Sequence, residues 1–114
     1  MGGGIAQVVA ASGRRVSVHD AAPGAVDRGI EAMRKSLAKL AEKGGPPPDE
    51  VLDRVHPVDE LVPADLMIEA VIEDAGIKED VFRRGDRTLP EGAILASNTS
   101  SIPITSLAAA TRRP

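Results

Sequence analysis

Three short stretches carry the residues most able to do chemistry. The first runs from Gly2-Gly3-Gly4 to Asp20. Glycines let backbone N–H groups approach a pyrophosphate, and a helix N-terminus adds unpaired donors and partial positive charge. An acid roughly 20 residues further on then accepts hydrogen bonds from ribose hydroxyls. Asp20 repels a 2′-phosphate, and Ala21 and Ala22 bring no arginine to hold one, so the stretch favours NAD over NADP. The same residues also make an ordinary glycine-capped helix followed by a surface aspartate. The second stretch is Glu69-Ala70-Val71-Ile72-Glu73-Asp74 with Lys78 beyond it. It lies where an apolar strand leaves a sheet, and open α/β sheets bind ligands at the carboxyl ends of their strands. Taken alone, these residues favour a solvated helix start with Lys78 paired one turn along. The third is Ser97-Asn98-Thr99-Ser100-Ser101, again at a strand end. Its hydroxyls and amide suit the orientation of a substrate oxygen or carboxamide, and they equally suit a helix-capping turn. The only histidines, His19 and His56, have no evident nucleophile or metal partner and read as structural or surface residues.

The elements that must position these stretches follow from hydrophobic spacing. Ile5, Val8, Val9 and Ala10 repeat at helical intervals before Ser12-Gly13, which predicts a helix over 3–12. Arg15–Asp20 alternates and is β-branched, so it reads as a strand ending at Asp20. Pro23 suits the first turn of a long helix whose apolar stripe is Val26, Ile30, Met33, Leu37 and Leu40. Gly44-Gly45-Pro46-Pro47-Pro48 breaks it. A short helix over 48–54 and an edge strand over 55–58 follow. Leu66–Ile72 is nearly continuous in apolar residues, as in a parallel strand covered on both faces. Next come a helix over 76–88 weakened by Gly85, a buried strand over 93–97, and a helix near 105–110. Helices alternating with buried strands make this an α/β protein with a doubly wound parallel sheet, in one small domain.

Composition removes several function classes. Hydrophobic residues are 42% of the chain but aromatics only 1%, with Phe82 alone, so base-stacking nucleic-acid platforms are absent. A net charge of −3 supplies no basic field for nucleic acid or anionic lipid. There is no cysteine, hence no disulfide framework or thiolate ligand, and no apolar run long enough to span a bilayer. A cytoplasmic globular domain, with neither nucleic acid nor membrane as partner, is the expectation.

Together and in order, MGGGIAQ, VSVHD, IEAVIED followed by Lys78, and ILASNTSSIPIT resemble the NAD-binding domain of the L-3-hydroxyacyl-CoA dehydrogenases over essentially the whole chain. The resemblance implies a Rossmann-like sheet and NAD-dependent oxidation of an L-3-hydroxyacyl-CoA to the 3-ketoacyl-CoA in fatty-acid or short-chain acyl-CoA metabolism. It also implies roles by position. Met1 and Gly2 match the end of the phosphate-binding turn, and Asp20 the residue that holds the adenosine ribose. Val71, Ile72 and Glu73 match the segment lining the cofactor, and Lys78 a lysine near both NAD and CoA. Ser36 and Lys43 match positions contacting CoA, within a helical-pair insertion over residues 23–54. Ser100 matches the catalytic serine that hydrogen-bonds the substrate 3-oxygen beside the nicotinamide.

The family pattern opens with an apolar strand and G-x-G ahead of the position of Met1. It continues past Pro114 into H-F-F-N-P, which carries the general-base histidine, and then into a helical domain that forms a homodimer. On this reading the chain is a partial NAD-binding domain, cut at both ends, whose sheet lacks its central first strand. It binds NAD weakly and has no useful turnover alone. Two alternatives stand beside it. One is a hydroxyacid dehydrogenase of the same superfamily, of the L-gulonate dehydrogenase type. The other is a non-catalytic nucleotide-binding or interaction module completed by a partner chain.

Overall fold

The chain punctuates itself with residues that stop one element and start the next, and the computed structural model places nine elements accordingly among the residues it describes. It describes residues 2–113. Helix α1 spans Gly2–Ala11, β1 Val16–Val18, α2 Ala25–Glu42, α3 Pro48–Leu52, β2 Val55–Pro57, β3 Leu66–Glu69, α4 Ala75–Thr88, β4 Ile94–Ser97 and α5 Ile104–Ala108. The chain divides into two compact units, Met1–Glu60 and Leu61–Pro114.

In the first unit, β1 and β2 pair in parallel, with Val16 opposite Val55 and Val18 opposite Pro57. The core joins Ala6 and Ala10 of α1, Met33 and Leu37 of α2, Val51 of α3 and Val55 of β2. The expected stripe of α2 is therefore real over its middle turns, but Leu40 is exposed because the helix runs past the core before it ends. That end is built by glycine. Gly44 takes φ 88°, in the left-handed region that glycine adopts without strain. The Gly45 N–H donates to Leu40 O at 2.8 Å, and a Cβ on Gly45 would stand 2.7 Å from that oxygen. Arg54 reaches across to α1, donating from Nη1 to Ala10 O at 2.9 Å, and so satisfies a carbonyl of its last turn.

In the second unit, β3 and β4 pair in parallel from Leu66 opposite Ile94 to Glu69 opposite Ser97. Met67, Leu89 and Ala93 form the core, with Leu61, Val81 and Leu95 packed on it. Arg113 ties the turn between α4 and β4 together. Its Nε pairs with Asp86 at 2.8 Å, and its terminal nitrogens donate to the carbonyls of Asp86, Leu89, Pro90 and Ala93.

The α/β class with parallel strands is as expected, and the order differs from a continuous sheet in one respect. The strands form two separate two-stranded sheets, β1-β2 and β3-β4, so among the described residues β1 and β3 each have one hydrogen-bonded neighbour. Those are the pairs that remain when the first strand is taken from a 3-2-1-4-5-6 order. Three expectations are corrected, the first being that the strand expected to be buried over 93–97 is only partly so, with Ile94 exposed. The strand expected to reach Asp20 stops its ladder at Val18, and Asp20 follows in irregular chain just ahead of the bend at Ala21-Ala22. The strand expected over Leu66–Ile72 ends at Glu69, and its side chains alternate between exposed and buried rather than lying covered on both faces. The Val71 N–H turns back onto the Glu69 carboxylate, which takes the chain out of the strand.

Gly85 weakens α4 by propensity but lets it lie close on β3. A Cβ there would stand 2.6 Å from Met67 Sδ and 3.5 Å from Leu95 Cδ2. Gly85→Ala is expected to lower stability, since overpacking costs about 1–3 kcal/mol against about 1 kcal/mol gained in helix propensity. Chemical denaturation checks this, and a stabilised variant would contradict it.

Candidate functional site

The carboxyl ends of β3 and β4 meet the loops that follow them around three charges. Glu69 is the last residue of β3 and points inward, opposite Ser97 at the end of β4. Lys78 lies one turn into α4, whose start is fixed by Asp74 accepting from the Ile77 N–H at 3.0 Å. Glu73 sits between them in the β3–α4 loop.

Lys78 Nζ donates to Glu69 Oε2 at 2.6 Å and to Val71 O at 3.3 Å. It lies 3.3 Å from Glu73 Oε1. An ammonium has three protons, and these three acceptors use them. The Lys78 side chain is 0% exposed. The solvated helix start that the residues alone favour is therefore corrected: Lys78 is a buried counter-ion shared by two carboxylates. A direct contact of the ammonium with CoA requires one of those bonds to open. Burial opposes its charge, but the bonds to Glu69 and Glu73 outweigh it, and the ammonium pKa is raised above its ordinary value.

Glu73 faces outward, with its side chain 39% exposed, and gathers the loop after β4. Its carboxylate accepts from the Ser101 hydroxyl at 2.7 Å and from the Thr99 hydroxyl at 2.8 Å. The backbone N–H groups of Ser100 and Ser101 donate to it at 3.2 and 3.3 Å. Ser100, the expected catalytic serine, is thus held by its main chain and is exposed. The hydroxyls of Ser101 and Thr99, then the Ser100 amide and Lys78, overcome partial desolvation and hold the Glu73 pKa down to about 2. Two carboxylates against one ammonium leave the cluster a single net negative charge. Such a site suits ligand hydroxyl donors better than ligand phosphates. Val71 and Ile72 present exposed side chains beside Glu73.

The other expected residues lie in the first unit. Gly2 opens α1, with Gly3 and Gly4 behind it, and Met1 lies outside the described residues. Asp20 is exposed and accepts from the Ala22 N–H at 2.9 Å, which leaves lone pairs on its carboxylate for a further donor. Ser36 Oγ accepts from Gln7 Nε2 at 3.1 Å, an α1–α2 link that the sequence did not suggest. Lys43 is the exposed C-cap of α2, about two turns beyond Ser36. His19 Nδ1 lies 3.2 Å from Val58 O, consistent with a structural role.

Glu69, Thr99 and Ser101 lie in the stretches singled out by residue type but received no individual role from the sequence. The signal for Glu69 was an acid at an inward position of an otherwise apolar strand, two residues after the buried Met67. Among the described residues no buried side-chain polar atom lacks a partner, and no group of acids and histidines is placed to hold a metal. No described helix is long and apolar enough to cross a membrane.

Because the folded pKa of Glu73 lies below its unfolded value of 4.5, its stabilising bonds contribute fully above about that pH. They are lost as pH falls toward about 2. A carbon-13 titration of the Glu73 carboxyl is expected to give a midpoint near 2, moving upward in Thr99→Val/Ser101→Ala. A midpoint near 4.5 in the unaltered chain would contradict this arrangement.

Comparison with known proteins gives the chain its relatives. Residues 1–114 match the family described as 3-hydroxyacyl-CoA dehydrogenase, NAD binding domain. A probable 3-hydroxybutyryl-CoA dehydrogenase of Deinococcus radiodurans is 51% identical over 120 residues, covering 100% of this chain and 43% of that protein. The crystal structure of FadB2 from Mycobacterium tuberculosis superposes with a TM-score of 0.93 at 38% identity, over 100% of this chain and 42% of that one. The structure of 3-hydroxybutyryl-CoA dehydrogenase from Escherichia coli gives 0.93 at 33% identity, over 100% of this chain and 25% of that one. The chain thus spans less than half the length of these relatives. Within that span, Rossmann-like fold and sequence agree: the chain belongs to the family of 3-hydroxyacyl-CoA dehydrogenase NAD-binding domains.

Proposed function

We propose that this chain binds NAD and forms the cofactor-binding part of an enzyme that oxidises an L-3-hydroxyacyl-CoA to the 3-ketoacyl-CoA. The observation that carries the reading is the gathering of Ser100 onto Glu73, at the carboxyl ends of β3 and β4. Strand ends of this kind are where open α/β sheets take ligands. Family membership over the full chain supports the choice of cofactor and reaction.

The residues fit the cofactor's chemistry unit by unit. The start of α1 offers backbone donors at Gly2–Gly4 to a pyrophosphate, and Asp20 offers an exposed carboxylate to ribose hydroxyls. In the second unit, Glu73 offers an anionic acceptor and Ser100 an exposed hydroxyl to the substrate oxygen. When bound, NAD supplies the acceptor for the hydride from the carbinol carbon. The hydroxyl proton leaves to a base, and Ser100 orients the oxygen as it becomes a carbonyl. Ser36 and Lys43, on one helix, are proposed contacts for CoA, with Lys43 providing charge for a phosphate. The whole protein is proposed to act as a homodimer on acyl-CoA substrates.

Calorimetric titration with NAD tests the reading. Asp20→Asn is expected to weaken NAD about tenfold and to narrow the preference over NADP, because it removes both a charged acceptor and the repulsion of a 2′-phosphate. Unchanged NAD affinity in that variant would contradict the assignment.

A further inference from the structure

Glu69 is a buried ionisable group that the proposed reaction does not use. It is 2% exposed, and it lies in a strand otherwise made of Leu66, Met67 and Ile68. An unpaired carboxylate there would be strongly destabilising. Its side-chain and carbonyl bonds go to three different pieces of chain around the candidate site. Its Oε2 accepts from Lys78 Nζ at 2.6 Å and from the Val71 N–H at 2.8 Å. Its Oε1 accepts from the Ser97 hydroxyl at 2.5 Å. Its own carbonyl accepts from the Asn98 N–H at 2.8 Å. One residue thereby touches α4, the loop after β3 and the end of β4.

The hydrogen bonds continue outward in one chain. Lys78, held by Glu69, bridges to Glu73, and Glu73 collects Thr99, Ser100 and Ser101. Without Glu69, Lys78 keeps a long flexible stem and only two of its three acceptors, the carbonyl of Val71 and the outer carboxylate. Only the longer 3.3 Å bond to the Val71 carbonyl then opposes a swing of the ammonium toward water with Glu73.

We propose that Glu69 is a positioning residue: it anchors Lys78, and through Lys78 it sets the Glu73 carboxylate and the Thr99–Ser101 loop for the ligand. The inference rests on the NAD reading for the identity of that ligand. The anchoring itself is read without any ligand.

The test uses Glu69→Gln in the full chain, with two readouts. In nitrogen-15 spectra, the Lys78 ammonium of the unaltered chain is expected to give a resolved, slowly exchanging signal. Glu69→Gln is expected to lose that signal and to shift the Ser100 and Ser101 amides, while the Leu95 amide on β4 stays in place. In calorimetry, Glu69→Gln is expected to weaken NAD about tenfold, and adding Lys78→Met is expected to weaken it no further. A folded Glu69→Gln chain that keeps the Lys78 signal overturns the proposal. So does one that loses the signal but binds NAD as before, or one whose losses add to those of Lys78→Met. Should Glu69→Gln fail to fold, Glu69→Asp makes the same test, because it keeps the charge and withdraws it by one methylene. A purely charge-balancing role leaves the Lys78 signal of that variant intact and overturns the proposal; positioning loses the signal. If the unaltered chain does not bind NAD, the functional reading falls, and the spectra still decide the role of Glu69.

Discussion

The second unit is organised around one demand: a lysine and a glutamate, both buried, must satisfy each other. Removing an ion from water costs several kcal/mol even after relaxation, so such a pair persists only where its remaining donors and acceptors are also met. Lys78 meets this with two carboxylates and a carbonyl, and Glu69 with an ammonium, a hydroxyl and an amide. Meeting it forces β3 to end at Glu69, brings the start of α4 against that end, and draws Ser97 in from β4. Breaking such a pair from one side typically costs about 3–5 kcal/mol. The interaction is thus both a structural commitment and the scaffold of the candidate site.

Electrostatics then passes from the interior to the surface in steps. Glu69 is closed off, Lys78 is fully used, and Glu73 emerges partly exposed with its charge retained to low pH. A carboxylate that already orders hydroxyls and amides from the opposite loop is preorganised to accept further donors without rearrangement. The exposed Ser100 is carried on the same loop. The proposed oxidation needs this kind of order: a substrate oxygen must be held while its carbon gives up a hydride.

Much of this was legible in the residues. The order of helices and strands follows from spacing, and the breaks at Ser12-Gly13 and Gly44-Gly45 follow from backbone chemistry. Asp74 as a cap and Glu73 near Ser100 lay within the stretches singled out by residue type. Three things were not legible, because a side-chain contact in each case overrode the pattern of the backbone element. Val71 and Ile72 look like strand, but the Glu69 side chain captures the Val71 N–H and ends the ladder. Lys78 looks like a surface residue until two carboxylates from outside its helix are placed beside it. Ser36 reads as helix surface, and only the approach of α1 reveals Gln7 as its partner.

On the proposed function, the cluster at the ends of β3 and β4 faces a ligand. Mapping amide shifts of the second unit during titration with NAD tests it most directly. The largest changes are expected over Val71–Asp74 and Thr99–Ser101, with the arginine-lined face of Arg83, Arg87 and Arg112 unmoved. Changes concentrated on that arginine face, with Glu73 and its loop unaffected, would contradict it.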